Sequence, residues 1–457
     1  MAQATKASAR SIALQVLIDV QDHKAFSNLQ LNAALKREGL DRREAGLATE
    51  LVYGTLSRLN TLDWILSKLI NKPISKLEIW VQNLLRLSLY QLHYLDKIPE
   101  RAVVHEAVEE AKRRGHKGTI GLVNGVLRNY SRRKEEWVFP AQWPKFKKIA
   151  LEYSHPEWLV KRWLSFFGET DTIGMCKMNN QPPPVSVRIN PLMATREKVL
   201  QVVQEELEGA EIASSDIAPQ GLLLKQVGNI AFSQAYQRGM FTIQDESSML
   251  VAHAVAAKPG MHVLDTCAAP GGKTTHIAEL MENSGSILAL DIHEHKLKLI
   301  TANADRLGVT IIEPKQADAR KLPSDLHKGL FDRILVDAPC SGFGVIRRKP
   351  DLKWQKQLKD IEEIAQTQYQ ILEQAARWLK PGGCLVYSTC TVDPEENSRL
   401  IHRFIDANPS FTLDASLVTD MPPNLRQHFH KSGGYIQILP HQFGSDGFFI
   451  SRITRQT

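Results

Sequence analysis

Cys340 sits in VDAPCSGFGVIRRKPDLKW, three residues after Asp337, and Cys390 closes the strand-like run CLVYSTCTV. A thiolate is a strong nucleophile and a tolerable leaving group, so a cysteine at a strand end suits covalent chemistry that must later reverse. Buried packing is the other reading of either thiol alone. Cys176, in a helix-like segment, and Cys384, at the start of a strand, read as packing. The His293, Glu294, His295 cluster reads as the exposed start of a helix, and no cysteine or histidine spacing predicts a metal site.

A second constellation is VLDTCAAPGGKTTHIAEL, which reads as strand, glycine loop and helix. Glycines there allow close backbone approach to a ligand and expose amide donors at a helix start. The loop is not an ATP-binding P-loop, because Cys267 stands where the pattern needs its first glycine, and the G-x-G-x-x-G dinucleotide pattern is also absent. Asp291 ends the next strand-like run, SILALDI, about 20 residues beyond the loop, where an acid suits a ribose diol. Asp318 in QADAR follows a further strand. One acid at a strand end can simply cap a helix. The ordered set Asp265, Gly271–Gly272, Asp291, Asp318 and Asp337 predicts a ligand site along the carboxyl edge of an open α/β sheet.

These residues need a scaffold, and three patterns supply it. From residue 1 to about 140 the apolar spacing is helical; in SIALQVLIDV, Ile12, Leu14, Val16, Leu17 and Val20 suit one buried face. Pro73 and Pro99 fall between helices, and Gly115 ends VVHEAVEEAKRRG. Residues 141–235 read as a connector with short helices followed by a small α+β module. From 236 to 457, MHVLDTCAA, SILALDI, FDRILVDAP and GGCLVYSTC alternate with helical stretches, predicting a parallel sheet with helices on both faces. The fold class is therefore multidomain: an all-α N-terminal domain, a small α+β middle module and a C-terminal α/β domain.

The chain has 457 residues, 43% hydrophobic and 23% charged, with five cysteines. That odd, small number fits free thiols in a reducing, cytoplasmic compartment. No run is apolar enough for a membrane span, and the start lacks a signal-peptide pattern. The net charge of +7 is uneven: residues 1–150 carry 25 Lys and Arg against 15 Asp and Glu. Lys112, Arg113, Arg114 and Lys117 cluster, as do Arg128, Arg132, Arg133 and Lys134. Such clusters are solvated helix faces or a surface for a polyanion.

Taken together, LDTCAAPGGKTTHIAEL, LALD, DAPCSGFGVIRRKPDLKW, LKPGGCLVYSTCTVDPEEN, FTIQDESSML and the late DGFF resemble the Sun/Fmu family of S-adenosylmethionine-dependent RNA cytosine-5 methyltransferases. ELVYGTLSRLNTLDWILSKLI and AVVHEAVEEAKRRGHKGTIGLVNGVLRNY resemble the NusB-type RNA-binding helical domain. This pairing is characteristic of the bacterial 16S ribosomal RNA enzymes of the family. The resemblance implies methylation of carbon 5 of a cytosine in small-subunit ribosomal RNA; beside it, the expected partner is that RNA alone, with no metal and no membrane, and the expected state is a monomer. It implies that Cys267, Ala268, Ala269, Pro270, Gly271, Gly272 and Lys273 surround the methionine part of S-adenosylmethionine. Asp291 would hold its ribose, Asp318 would lie by its adenine, and Asp337 would lie between cofactor and target base. Cys390 would be the nucleophile and Cys340 would assist release. Arg347 and Arg348, next to the Pro-Cys motif, would meet RNA with Lys112, Arg113, Arg114 and Lys117. The same chemistry on transfer RNA, or a NusB-like RNA-binding assembly factor with a relic catalytic domain, are the alternatives. A DNA methyltransferase would place the nucleophile in the Pro-Cys motif.

Overall fold

The computed structural model describes residues 8–133, 137, 139–140, 142–207, 209–321, 330–430 and 433–457. Lys134 of the second basic cluster lies outside them. The chain forms two units, Met1–Gln181 with Ile346–Lys356, and Pro182–Val345 with Gln357–Thr457. No helix among the described residues is long and apolar enough to cross a membrane.

The described part of the first unit is helical. Ser8 accepts the Ser11 amide at 3.2 Å to start helix Ala9–His23, and Asp41 accepts the Glu44 amide at 2.9 Å to start Arg42–Ser57. Each cap satisfies a donor that the first turn leaves open. Ile12, Leu14, Val16, Leu17 and Val20 are all buried, as their spacing predicts. Helix Ile79–Tyr94 is buried on every side from Val81 to Leu92, the mark of a central helix. Its buried Arg86 is matched by a two-pronged pairing with Asp63, at 2.7 and 2.8 Å. Pro73 and Pro99 do fall between helices, and Gly115 follows the last residue of Glu100–Arg114.

The connector holds short helices, as expected: Lys145–Glu152 is followed by Glu157–Met178, which is two short helices meeting at a kink. It is interrupted at Gly168, whose φ of 73° breaks the ladder, while Leu159, Val160, Trp163, Met175 and Cys176 keep one buried face on both sides. Ile346–Lys356 is built into the helical unit: fully buried Lys353 donates to the carbonyls of Ser57 and Ser154 at 2.9 and 2.6 Å, and Trp354 donates to that of Leu56 at 2.7 Å. Burial holds the Lys353 ammonium pKa well below the usual lysine value.

The second unit holds two sheets. The smaller comprises β1 (Val185–Ile189), β2 (Glu211–Ser214), β3 (Gly221–Lys225) and β4 (Phe241–Ile243), antiparallel in the order β2-β3-β1-β4. Helix Arg196–Glu206 covers it with Val199 and Val203, which join Val187, Leu222 and Leu224 in one core.

The larger sheet contains β5 (His262–Asp265), β6 (Ser286–Asp291), β7 (Ile312–Gln316), β8 (Phe331–Asp337), β9 (Leu379–Thr389), β10 (Phe411–Leu413), β11 (Phe429–His430), β12 (Tyr435–Ile438) and β13 (Phe448–Arg455). Its order is β11-β12-β13-β9-β8-β5-β6-β7, with β10 on β13. The five strands from β5 to β9 are parallel, but β13 runs antiparallel to β9, so the sheet is mixed and not wholly parallel. The order reverses between β5 and β8, and an open α/β sheet binds ligands outside the carboxyl ends of its strands at such a switch point. Asp265, Asp291, Asp337 and Thr389 are the last residues of β5, β6, β8 and β9.

Candidate active site

Parallel pairing of β8 with β9 sets Asp337 opposite Ser388, so the residues just beyond them emerge side by side. The two thiols meet there, with the sulfurs of Cys340 and Cys390 3.3 Å apart and both half-buried. Glycine makes the approach possible. The Gly344 amide donates to the Cys390 carbonyl at 3.0 Å, and the Gly447 amide donates to the Gly344 carbonyl at 2.8 Å. A Cβ on Gly344 would lie 1.9 Å from the Gly447 carbonyl oxygen, so only glycine lets these loops close.

Asp337 accepts from Lys273 Nζ at 2.7 Å and from Ser388 Oγ at 2.8 Å. Burial opposes the Lys273 charge, but the Asp337 carboxylate outweighs it and raises the ammonium pKa, and an ionised Cys390 acts in the same direction. The Cys340 thiol is pushed well above its usual range, first by its hydrogen bond with Cys390 and then by burial. Asp265, buried beneath this group, accepts the Thr274 hydroxyl at 2.7 Å, and burial pushes its carboxyl up to about 7.

Gly271, at φ 100°, opens helix Gly272–Leu280, and its backbone passes so near Ile300 that a Cβ would lie 3.2 Å from that residue's Cα. Ala268 packs with Ala289 and Ile300 beneath the turn, and its amide donates to the Leu290 carbonyl at 2.7 Å. Ala269 and Pro270 complete the turn, joined by a cis peptide. Burial raises the Cys267 thiol, which fits bulk and not reactivity. Asp291 accepts the His293 amide at 2.9 Å. Asp318 is gripped by Arg320, Nη2 to Oδ2 at 2.8 Å and Nε to Oδ1 at 2.9 Å.

Sequence reasoning missed Arg188. From β1 of the small sheet it donates to the Gly272 carbonyl at 2.7 Å, and its guanidinium meets Glu279 at 2.6 and 2.9 Å with both side chains fully buried. The middle module thus braces the glycine loop. Its only local signal was a charged residue inside the apolar strand VSVRI.

The chain matches three family descriptions in order: the NusB family over residues 7–132, an RsmF/B-like methyltransferase ferredoxin-like domain over 155–231, and 16S rRNA methyltransferase RsmB/F over 252–454. It is 49% identical over 453 residues, 99% of each chain, to a protein of Bacillus subtilis named probable ribosomal RNA small subunit methyltransferase B. The chain belongs to the RsmB/F family of 16S ribosomal RNA methyltransferases. An Enterobacter ribosomal RNA small subunit methyltransferase B is 35% identical, with 99% of this chain and 100% of that one covered. Among solved structures, that of PH0851 superposes with a TM-score of 0.81 at 26% identity, over 99% of this chain and 100% of that one. NSun6 from Pyrococcus horikoshii, solved with SFG, gives 0.57 at 25% identity, over 65% and 97%.

As a member of the RsmB/F family, the chain is a small-subunit ribosomal RNA methyltransferase with a NusB N-terminal domain and a ferredoxin-like middle module. The second unit brings together Cys340, Cys390, Asp337, Lys273 and the loop from Cys267. The predicted RNA-facing residues belong to the first unit. Lys112 pairs with Glu109 at 2.7 Å, and Arg113 and Arg114 pair with Glu110 at 3.1 and 2.6 Å. Lys117 is the first residue of Lys117–Arg132. Arg347 donates to the Gln181 carbonyl at 2.9 Å, and Arg348 follows it in the same embedded segment. Arg101, His105, Lys112, Arg128 and Arg132 line one surface groove. No group of three or more potential metal-binding side chains occurs among the described residues.

Proposed function

We propose that this enzyme methylates carbon 5 of a cytosine in 16S ribosomal RNA, with Cys390 as nucleophile and S-adenosylmethionine as methyl donor. The observation that carries this reading is the 3.3 Å contact between the two thiols beside the Lys273–Asp337 pair. A thiolate on Cys390 gains a hydrogen bond from the Cys340 S–H and a cation in Lys273. The hydrogen bond with Cys390 and burial both raise the Cys340 thiol, which suits it to be the partner that donates to a Cys390 thiolate.

The small-residue turn at 267–271, the helix start at Gly272 and the acid at the end of β6 suit a ligand with a charged amino acid end and a ribose. Asp291 is the ribose partner. Asp318, already gripped by Arg320, would serve the adenine through its neighbouring backbone. Bound S-adenosylmethionine supplies an electrophilic methyl group.

In the reaction, the Cys390 thiolate adds to carbon 6 of the cytosine, and the ring electrons move to carbon 5, which takes the methyl group. Asp337, with free lone pairs on oxygens held by Lys273 and Ser388, is placed to steady the pyrimidine edge. Once Cys390 has become a thioether, the hydrogen bond to its thiolate, the largest influence raising Cys340, is gone. Cys340 then loses its proton to solvent, accepts the carbon-5 proton, and the carbon–sulfur bond breaks to return the Cys390 thiolate. Bisulfite sequencing of 16S ribosomal RNA from cells with and without the gene tests the product: one cytosine should lose protection in the mutant. Unchanged protection throughout would overturn the assignment.

The helical unit is proposed to supply RNA affinity through the groove bearing Arg101, Lys112, Arg128 and Arg132. The divisions 1–140, 141–235 and 236–457 are proposed as RNA-binding, bracing and catalytic regions.

A further inference from the structure

The residues that flank the two thiols are held by two neighbours in sequence, Glu396 and Asn397. Glu396 and Asn397 are both buried, in the TVDPEEN turn that leads into helix Ser398–Ala407. Glu396 Oε2 accepts the Ser341 amide at 2.8 Å and Gln368 Nε2 at 3.0 Å. Its Oε1 accepts the Ser341 hydroxyl at 2.5 Å. The same Gln368 amide donates to the Pro339 carbonyl at 2.9 Å. Both peptide groups around Cys340 are thus tied to one carboxylate. Asn397 does the equivalent for Cys390: Oδ1 accepts the Thr389 hydroxyl at 2.6 Å, and Nδ2 donates to the Thr391 carbonyl at 3.0 Å. Ser341 Oγ and Thr391 Oγ1, one beside each thiol, are 2.8 Å apart and join the two clamps.

We propose that Glu396 and Asn397 are positioning residues with divided labour, Glu396 holding Cys340 for release and Asn397 holding Cys390 for attack. The division rests on the thiol roles proposed above; the clamping does not. A buried carboxylate is an unusual choice for a purely structural tie, because an uncharged side chain would avoid its desolvation cost. Here it is matched by three donors, two from Ser341 and one from Gln368 on helix Leu358–Ala376. Asn397 is suited to the Cys390 side because one amide group can accept from a hydroxyl and donate to a carbonyl at once.

The test has two readouts. The first, without RNA or cofactor, is the alkylation rate of each cysteine by iodoacetamide, followed by peptide mass spectrometry. Glu396→Ala should change the Cys340 rate several-fold more than the Cys390 rate, and Asn397→Ala should do the reverse. The second is single turnover on unmodified RNA. Glu396→Ala should form adduct normally but release it about 10- to 100-fold more slowly. Asn397→Ala should slow adduct formation by a similar factor. Glu396→Gln, which keeps an acceptor for the Ser341 amide, should fall between wild type and Glu396→Ala and serves if the alanine variant does not fold. Equal changes at both thiols, or none at either, would overturn the proposal. If Cys340→Ala traps no adduct while the alkylation rates still split as expected, the clamps stand and the assigned thiol roles fail.

Discussion

The sulfurs of Cys340 and Cys390 lie 3.3 Å apart, although 50 residues separate them in the chain. That contact is direct, and it makes the two thiols one chemical unit. Cys390→Ala should abolish methylation and leave no protein–RNA adduct. Cys340→Ala should still attack and methylate, then fail to let go, leaving an adduct that survives denaturing electrophoresis and requires Cys390. The reversed pattern would make Cys340 the nucleophile.

Asp291 ends β6 beside the glycine turn. Asp291→Ala should weaken S-adenosylmethionine binding by about 1.5–3 kcal/mol, the worth of a charge-assisted hydrogen bond. Calorimetric titration in the absence of RNA measures it, and unchanged affinity would remove Asp291 from the site.

Arg188 and Glu279 form a fully buried pair that also holds the Gly272 carbonyl. Arg188→Met leaves Glu279 uncompensated, so the unfolding free energy should drop by about 3–5 kcal/mol. Cofactor affinity should fall as well, because the loop loses its brace. Arg188→Met with Glu279→Leu should recover much of the stability but not the affinity. Denaturant unfolding and titration on the same samples separate the two effects.

Asp265 and Glu396 are both held at about 7 by burial. The unfolded chain releases these protons near pH 4, whereas the folded chain keeps them until about pH 7. The folded state therefore binds more protons in that window, and stability falls as pH rises through it. Each group contributes roughly 3–4 kcal/mol across the window. Glu396→Gln should flatten the slope of unfolding free energy between pH 4 and 7, and an unchanged slope would count against the burial effect.

RNA affinity from the helical unit should be salt-dependent. Arg128→Ala with Arg132→Ala should reduce the slope of log affinity against log salt by about 0.7–0.9 for each phosphate that is no longer neutralised. Lys112, Arg113 and Arg114 each meet a glutamate one turn earlier, so removing them should change the slope less. The measurement calls for the full-length chain. Deleting residues 1–150 would strip Lys353 and Trp354 of the Ser57 and Leu56 carbonyls.

Much of this protein was determined by its sequence alone. Helical spacing marked the buried face from Ile12 to Val20, and β–α alternation put Asp265, Asp291 and Asp337 at the ends of strands. Both features depend on neighbours within a few residues, so periodicity and turn chemistry reveal them. The motifs around Cys340 and Cys390 were legible for the same reason. Tertiary structure alone decided the rest. That β8 lies between β5 and β9 brought the thiols together, and the antiparallel β13 completed the sheet. The choice of Gly272 as the partner of Arg188, of Glu396 as the partner of Ser341, and of the helical unit as the place of Lys353 each joins residues far apart in the chain. A buried charge must find a partner, but nothing in its own neighbourhood says which one; that is settled only when burial removes water as the alternative.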